Sequence, residues 1–217
     1  MTTPSPSRES RRPSRRDVLK AAAVSTGAIS AGLAVSRGAH AAGSDVLRVG
    51  LIGCGPRGTG AAVNALRADK NAKLVALADL FGENVDLSLR NLAQHGADQV
   101  AVDDDHRFTG FEGYRQLIAS GVDVVLIALP THFHPMVLEA AVEAGKHVFC
   151  EKIHAVDAPG VHTVLAAGEE AKRKGLSIVS GLAWRYHTGV QETMKRVHDG
   201  MIGEIVSIQE TGNTGSL

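Results

Sequence analysis

Aromatic residues are scarce in this chain, at 4% of 217 residues, whereas glycine occurs 24 times. This balance disfavours an aromatic-rich β-sandwich and favours tight turns between strands and helices. Lys and Arg together number 23, as do Asp and Glu, so the net charge gives no reason to expect a nucleic-acid partner. With 44% hydrophobic residues, the composition excludes both a disordered chain and a multi-span membrane protein.

The N-terminus lacks a long apolar run. Ala21–Val35 is a weakly apolar stretch of 15 residues, too short and too mild to span a bilayer. It follows Arg15-Arg16 and precedes Ala39-His40-Ala41. This order indicates a secretory signal over residues 1–41, and the paired arginines indicate the twin-arginine class. We therefore expect export by the twin-arginine machinery to the periplasm or the exterior, without a stable membrane anchor. The alternative is a disordered basic tail.

Cleavage after Ala41 would separate two molecules of opposite charge. Residues 1–41 carry 7 basic and 2 acidic side chains, and residues 42–217 carry 16 and 21, so the mature protein would be acidic. Two cysteines are present, Cys54 and Cys150, at the predicted ends of strands that are not neighbours. Two strand spacings amount to about 9–10 Å, beyond the reach of a disulfide, so we predict two free thiols.

Short apolar runs alternate with helical periodicity after Ala41. Strands are predicted at Leu47–Ile52, Leu74–Ala78, Val100–Val102, Val122–Ala128, His147–Cys150 and Ser177–Gly181. Helices are predicted at Ala61–Ala68, Asn84–His95, Pro135–Ala144 and Ala158–Lys174, with a short one ending near Ala119. This alternation indicates βαβ units, and hence an α/β fold with a Rossmann-type doubly wound parallel sheet over residues 42–181.

The pattern changes after Gly181. A helix is predicted at Val190–His198, and Ile205–Glu210 alternates like a strand with one exposed face. Since a lone strand cannot form a stable sheet, residues 182–217 are expected to be the beginning of an incomplete second domain. The unpaired strand edge would then promote aggregation of the isolated chain.

A glycine motif, Gly53-Cys54-Gly55-Pro56-Arg57-Gly58, joins the first predicted strand to a helix. In that context G-x-G-x-x-G predicts a dinucleotide site, with the pyrophosphate resting on the helix N-terminus. Asp79 ends the second strand, where a carboxylate can accept hydrogen bonds from both ribose hydroxyls of NAD and repel the 2′-phosphate of NADP. We expect NAD as the cofactor, although Arg57 leaves NADP open. The alternative is a glycine turn with a surface aspartate.

Several motifs together resemble the Gfo/Idh/MocA oxidoreductases. They are the glycine loop, Asp79, Ala128-Leu129-Pro130, the stretch Ala144–Lys152 (AGKHVFCEK) and the turn Asp199–Val206 (DGMIGEIV). The resemblance implies a Rossmann domain followed by a C-terminal α/β substrate domain, and a homo-oligomer when the chain is full length. It also implies hydride transfer between a sugar or polyol-type substrate and nicotinamide. An acid/base residue would come from a segment beyond Leu217.

The resemblance also assigns individual residues. Lys152 would lie between nicotinamide and substrate and polarise the substrate oxygen, while Glu151 would bind a cofactor ribose. The alternative is a solvated Glu-Lys pair after a strand. Ile153 departs from the Glu-Lys-Pro motif of the family, which puts the local backbone geometry in question.

The stretch Pro130–His134, which follows the predicted strand Val122–Ala128, has two alternative interpretations. By resemblance, Pro130 and His134 line the nicotinamide side of the site. Alternatively, Thr131 or His134 caps the helix that begins near Pro135. His132 and His134 could suggest a metal site, but no metal is expected, because no cysteine or third histidine lies nearby at a ligand spacing. His154 and His162 are expected on a helix surface.

Trp184-Arg185-Tyr186 lies at the predicted domain junction. These side chains could stack on a sugar and bind its hydroxyls, or they could form an interdomain packing cluster. For the whole protein, two alternatives to a dehydrogenase remain: an NAD-dependent glycoside hydrolase of the same superfamily, and a non-catalytic nucleotide-binding fragment.

Overall fold

The computed structural model describes residues 46–211, with the side chain of Ala97 excepted. The predicted signal over residues 1–41 lies outside the described residues. Within residues 46–211 there are six strands: β1 Leu47–Ile52, β2 Ala72–Asp79, β3 Arg107–Thr109, β4 Val124–Ile127, β5 His147–Cys150 and β6 Ile178–Ser180. The same residues form seven α-helices: α1 Pro56–Ala68, α2 Gly82–Gly96, α3 Gly113–Ala119, α4 His134–Glu143, α5 Ala158–Lys174, α6 Ala183–Tyr186 and α7 Thr188–His198.

All six strands form one parallel sheet in the order β3-β2-β1-β4-β5-β6. The chain builds outward from β1 in one direction, and then crosses back to β4 and builds outward in the other. This confirms the predicted Rossmann-type α/β fold. Such an order leaves a crevice at the carboxyl ends of β1 and β4, where ligands of doubly wound sheets bind.

Two apolar layers cover the sheet, one on each face. In β1 the side chains alternate, so that Val49 and Leu51 pack with α1 and α2 while Ile52 packs with α3 and α4. Burial on both faces explains why the central strands have continuous apolar sequences. None of the helices within residues 46–211 is long and apolar enough to cross a membrane.

The ends of α5 have clear sequence causes. The Asp157 side chain accepts a hydrogen bond from the Gly160 amide at 2.8 Å, which caps the N-terminus. Gly175 ends the helix in the left-handed conformation with φ +68°, which glycine adopts without steric cost. The N-cap at Asp157 sets where the loop between β5 and α5 ends, and Lys152 lies in this loop.

Two strand predictions were wrong. Val100 forms only an isolated bridge to Leu74, and the third strand is Arg107–Thr109, which has no apolar run to reveal it. Residues 205–210 are not a strand, because no strand lies beside them within the described residues. Val206 and Ile208 are instead 88% and 84% exposed. The strand edge expected at 205–210 is therefore absent, but the apolar side chains of this segment are exposed, and aggregation of the isolated chain stays a prediction.

The two cysteines are free, as predicted, and the structure shows that both are buried. β4 lies between β1 and β5, and so separates Cys54, just beyond β1, from Cys150 at the end of β5. Burial raises the pKa of the Cys54 thiol to about 12, with a further contribution from the negative charge of Asp79. Burial likewise raises the pKa of the Cys150 thiol to about 12, assisted by Glu151.

We expect both thiols of the native protein to react slowly with an aromatic disulfide reagent at pH 8. The reactive species is the thiolate, and raised pKa values keep both groups protonated at this pH. In urea both should react rapidly, without prior reduction. Fast labelling of the native chain, or thiols that appear only after reduction, would contradict this expectation.

Candidate functional site

The glycine loop lies at the carboxyl end of β1, beside the crevice of the sheet. Gly53 has φ +94°, and a Cβ there would lie 2.4 Å from the carbonyl oxygen of Ala128. A Cβ on Gly58 would lie 1.8 Å from the carbonyl oxygen of Gly53. Gly53 is therefore required by its backbone conformation and by the close approach of the loop to Ala128, and Gly58 by the close packing of α1 against the loop after β1.

Gly55 is different from its two neighbours in the motif. A Cβ on Gly55 would meet no described atom within 4 Å, so the protein itself does not require glycine there. The missing side chain leaves open space next to the N-terminus of α1. This helix has Gly55 as its N-cap, no side-chain cap and no acidic residue in its first turn. The arrangement suits an anion that approaches the backbone closely.

Asp79 ends β2 and is hydrogen-bonded to the glycine loop. One carboxylate oxygen accepts from the Cys54 amide at 2.7 Å. The other accepts from the Phe81 amide at 3.0 Å and from Nδ2 of Asn84 at 2.9 Å. Sequence reasoning missed Asn84, whose only signal was a polar amide in the first turn of the helix after Asp79. The Cys54 amide holds the carboxylate against the glycine loop, and the other two donors hold its second oxygen.

A cavity of about 300 Å³ adjoins this carboxylate. Gly53, Gly55, Asp79 and Pro130 all line it, so the structure brings four predicted cofactor residues together. The remaining lining is largely apolar and aromatic and includes Phe81, Phe111, Leu129, Phe133 and Met136. An apolar cavity beside a carboxylate and a bare helix N-terminus suits an adenosine diphosphate moiety, which presents a flat base, a ribose and a diphosphate.

Arg57 and Glu151 form an ion pair, which sequence reasoning did not foresee. Arg57 lies two residues after the second glycine of the loop, Glu151 follows β5, and their side chains meet at the carboxyl end of the sheet. Glu151 is only 6% exposed. A Cβ on Gly181 would lie 2.8 Å from its carboxyl carbon, so glycine there makes room for the carboxylate.

Lys152 has an exposed side chain, and the Lys152–Ile153 peptide bond is cis. His134, the first residue of α4, is by contrast 1% exposed. Its Nδ1 donates a hydrogen bond to the carbonyl oxygen of Ile153 at 2.7 Å. The N-cap of α4 is Phe133, and it makes no side-chain cap hydrogen bond, so the predicted capping by Thr131 or His134 is not seen.

The other predicted histidines differ in position. His162 lies exposed on α5, as expected. His154 does not lie on a helix but in the loop before α5. Burial lowers the pKa of His154, and the nearby His134 lowers it further.

Trp184, Arg185 and Tyr186 form α6 directly after β6. Trp184 is 74% exposed and Tyr186 is 63% exposed, and the indole ring lies 6.2 Å from the ring of His187. Tyr186 and Arg57 line a second cavity, of about 460 Å³. The structure thus places this cluster near the Arg57–Glu151 pair and away from Asp79. Its assignment to substrate stays a prediction.

Comparison with known proteins agrees with this geometry. The Gfo/Idh/MocA family model, an oxidoreductase family with an NAD-binding Rossmann fold, matches residues 47–178. The chain is 29% identical over 167 residues to dTDP-3,4-didehydro-2,6-dideoxy-alpha-D-glucose 3-reductase of Actinomadura kijaniata, covering 76% of this chain and 45% of that protein. It is 29% identical over 170 residues to inositol 2-dehydrogenase of Rhizobium meliloti, covering 78% and 46%.

Solved structures are similar over the same region. Myo-inositol 2-dehydrogenase of Lactobacillus plantarum matches with a TM-score of 0.59 at 27% identity, over 73% of this chain and 43% of that one. A 3-ketoreductase from Actinomadura kijaniata in complex with NADP matches with a TM-score of 0.55 at 26% identity, over 73% and 46%. The chain thus spans a little under half the length of these relatives. Over residues 47–178 the fold, the glycine loop and the family match agree, and the chain belongs to the Gfo/Idh/MocA family of oxidoreductases with an NAD-binding Rossmann fold.

Proposed function

We propose that this protein is an NAD(P)-dependent oxidoreductase that prefers NAD and transfers a hydride between a sugar or polyol-type substrate and nicotinamide. One observation carries the proposal: Asp79 and the glycine loop face a single cavity at the crevice of the sheet. The open space at Gly55 supports binding of a pyrophosphate at the N-terminus of α1, and the position of Asp79 beside the cavity supports hydrogen bonds from its carboxylate to the adjacent ribose.

The position of Arg57 supports the preference for NAD. Its guanidinium is paired with Glu151 after β5, whereas Asp79 lies at the end of β2. In the sheet order these strands lie on opposite sides of β1. Arg57 is therefore directed away from the ribose-binding carboxylate. The one cation in the glycine motif is not placed to neutralise a 2′-phosphate.

Lys152 is the proposed catalytic residue of the chain. NAD, when bound, supplies the acceptor for the hydride. The Lys152 ammonium can donate a hydrogen bond to the substrate oxygen and stabilise negative charge that develops on it. The exposure of its side chain leaves it free to reach a substrate.

The relatives favour carbohydrate-like substrates. Besides the reductase and the inositol dehydrogenases, levoglucosan dehydrogenase of Pseudarthrobacter phenanthrenivorans is 30% identical over 177 residues, 76% of this chain and 40% of that protein. A second candidate is an NAD-dependent glycoside hydrolase. It is favoured by the glycosyl hydrolase family 109 protein of Shewanella amazonensis, which is 33% identical over 153 residues, 63% of this chain and 32% of that protein.

Asp79→Ala should weaken binding of NAD by about tenfold or more, because hydrogen bonds to a charged group contribute roughly 1.5–3 kcal/mol. Binding of NADP should be unchanged or stronger, since the repulsion of its 2′-phosphate is removed. Titration calorimetry with both dinucleotides measures the effect.

Asp79→Asn tests the charge while it keeps one oxygen acceptor for the loop amides. Asp86→Ala, an exposed aspartate of α2, is the matched control and should leave both affinities unchanged. Equal losses for NAD and NADP in both Asp79 variants would remove the assigned role of this carboxylate.

The reaction can be tested with a panel of inositols, aldoses and anhydrosugars in the presence of NAD. A dehydrogenase should produce NADH in proportion to oxidised substrate, and Lys152→Ala should reduce kcat by about 100-fold or more. Release of the aglycone from aryl glycosides without net formation of NADH would instead identify the glycoside hydrolase. Binding of NAD without either reaction would support a non-catalytic nucleotide-binding protein.

Export through the twin-arginine pathway is also proposed for this protein. Its support is the arginine pair before Ala21–Val35, followed by Ala39-His40-Ala41. Replacement of Arg15 and Arg16 by Lys should retain the precursor in the cytoplasm, as measured by cell fractionation and immunoblotting. The matched control replaces Arg11 and Arg12 by Lys and should be exported. Efficient export of the Arg15/Arg16 variant would contradict the proposal.

We propose in addition that the full-length protein is a homo-oligomer.

A further inference from the structure

The segment that carries Lys152 is fixed to the rest of the protein on both sides. Before Lys152, the Glu151 amide donates to the carbonyl oxygen of Ile127 at 2.9 Å, and the Gly181 amide donates to the carbonyl oxygen of Cys150 at 2.8 Å. These backbone bonds extend the sheet to the residue before Lys152. Beyond that point, side chains hold the segment.

The first side-chain anchor is the Arg57–Glu151 pair. The Glu151 carboxylate is buried, and Arg57 is its cationic partner. A buried carboxylate without a partner is strongly unfavourable, so this ion pair determines where the carboxylate lies. Since Arg57 belongs to the glycine loop, the residue before Lys152 is tied directly to the cofactor loop.

The second anchor is His134. It donates from Nδ1 to the carbonyl oxygen of Ile153, the residue after Lys152. Because a carbonyl oxygen can only accept, Nδ1 carries the proton in this bond. The imidazole is 1% exposed, and its Nε2 has no hydrogen-bond partner among the described residues. The hydrogen bond to Ile153 is the contact that joins His134 to the loop that carries Lys152.

We propose that Arg57 and His134 are positioning residues that place Lys152 against the cofactor, through Glu151 on one side and through the Ile153 carbonyl on the other. This inference rests on the proposed function. It gives His134 a role different from direct cofactor contact, and it gives Arg57 a role beyond the glycine motif. A displacement of about 1 Å at a reacting group can reduce the rate about 100-fold, so two anchors on adjacent residues matter for Lys152.

The test measures how well NAD protects Lys152 of the full-length protein from acetylation by an activated ester. Mass spectrometry of the peptide that contains Lys152 gives the labelling rate with and without saturating NAD. In the unsubstituted protein, NAD should slow this labelling by about tenfold or more, as expected for an amine held against the bound dinucleotide.

Two variants remove one anchor each. The double substitution Arg57→Met/Glu151→Gln removes the ion pair without leaving a buried charge, and His134→Leu removes the hydrogen bond to Ile153. In both, protection of Lys152 at saturating NAD should fall below about threefold. For His134→Leu, the Kd for NAD from calorimetry should change less than about threefold, because His134 is buried and the Asp79 side is untouched. With the substrate found in the panel, kcat of His134→Leu should fall while its KM for NAD is nearly unchanged.

Rescue separates positioning from general destabilisation. His134→Asn places an amide N–H near the position of Nδ1 and should restore protection, whereas His134→Gln places it near Nε2 and should not. The comparison of His134→Asn with His134→Gln also tests the role of His134 if His134→Leu fails to fold. Arg48→Met is the control, because it removes the Arg48–Asp123 ion pair at the amino ends of β1 and β4, on the side of the sheet opposite Lys152, and should leave protection intact.

Each outcome has a defined meaning. Equal protection of Lys152 in all variants, or equal effects of His134→Asn and His134→Gln, would overturn the inference. Binding of NAD to the unsubstituted protein without protection of Lys152 would overturn it as well. A failure of the unsubstituted protein to bind NAD at all would instead refute the proposed function.

Discussion

Helix α1 can follow β1 so closely only because Gly53 and Gly58 have no side chains. A single methyl group at either position would enter the space of a backbone carbonyl. This contact sets the direction of α1, and so where its N-terminal amides point. It also brings the Cys54 amide within reach of Asp79, which then holds the loop to the end of β2. The geometry of the crevice depends on this backbone contact.

Asp79 and Glu151, two acidic residues at the carboxyl end of the sheet, have different environments. Asp79 lies beside the cavity and accepts hydrogen bonds from three nitrogen donors. Glu151 is buried and paired with a guanidinium. A carboxylate that is partly accessible can exchange its partners for ribose hydroxyls, whereas a buried ion pair is held in place. The same chemical group can therefore serve recognition at β2 and positioning at β5.

Arg57 illustrates why a motif does not determine the role of each of its residues. Within G-x-G-x-x-G its position is variable, and its charge could favour the extra phosphate of NADP. The structure turns it toward Glu151, on the other side of β1. Gly55, two residues earlier in the motif, has the opposite character, because its importance lies in space that nothing in the described protein occupies.

The sequence by itself determined the alternation of strands and helices, the parallel sheet and the separation of Cys54 from Cys150, because central strands buried on both faces need continuous apolar runs. It also located Gly53, Gly55, Gly58 and Asp79, since turns and helix ends have local residue signatures. It did not reveal β3, whose three residues carry no apolar run. The Arg57–Glu151 pair and the bond from His134 to Ile153 were decided by tertiary structure alone. Their partners lie 94 and 19 residues apart, and only the order of strands in the sheet brings them together.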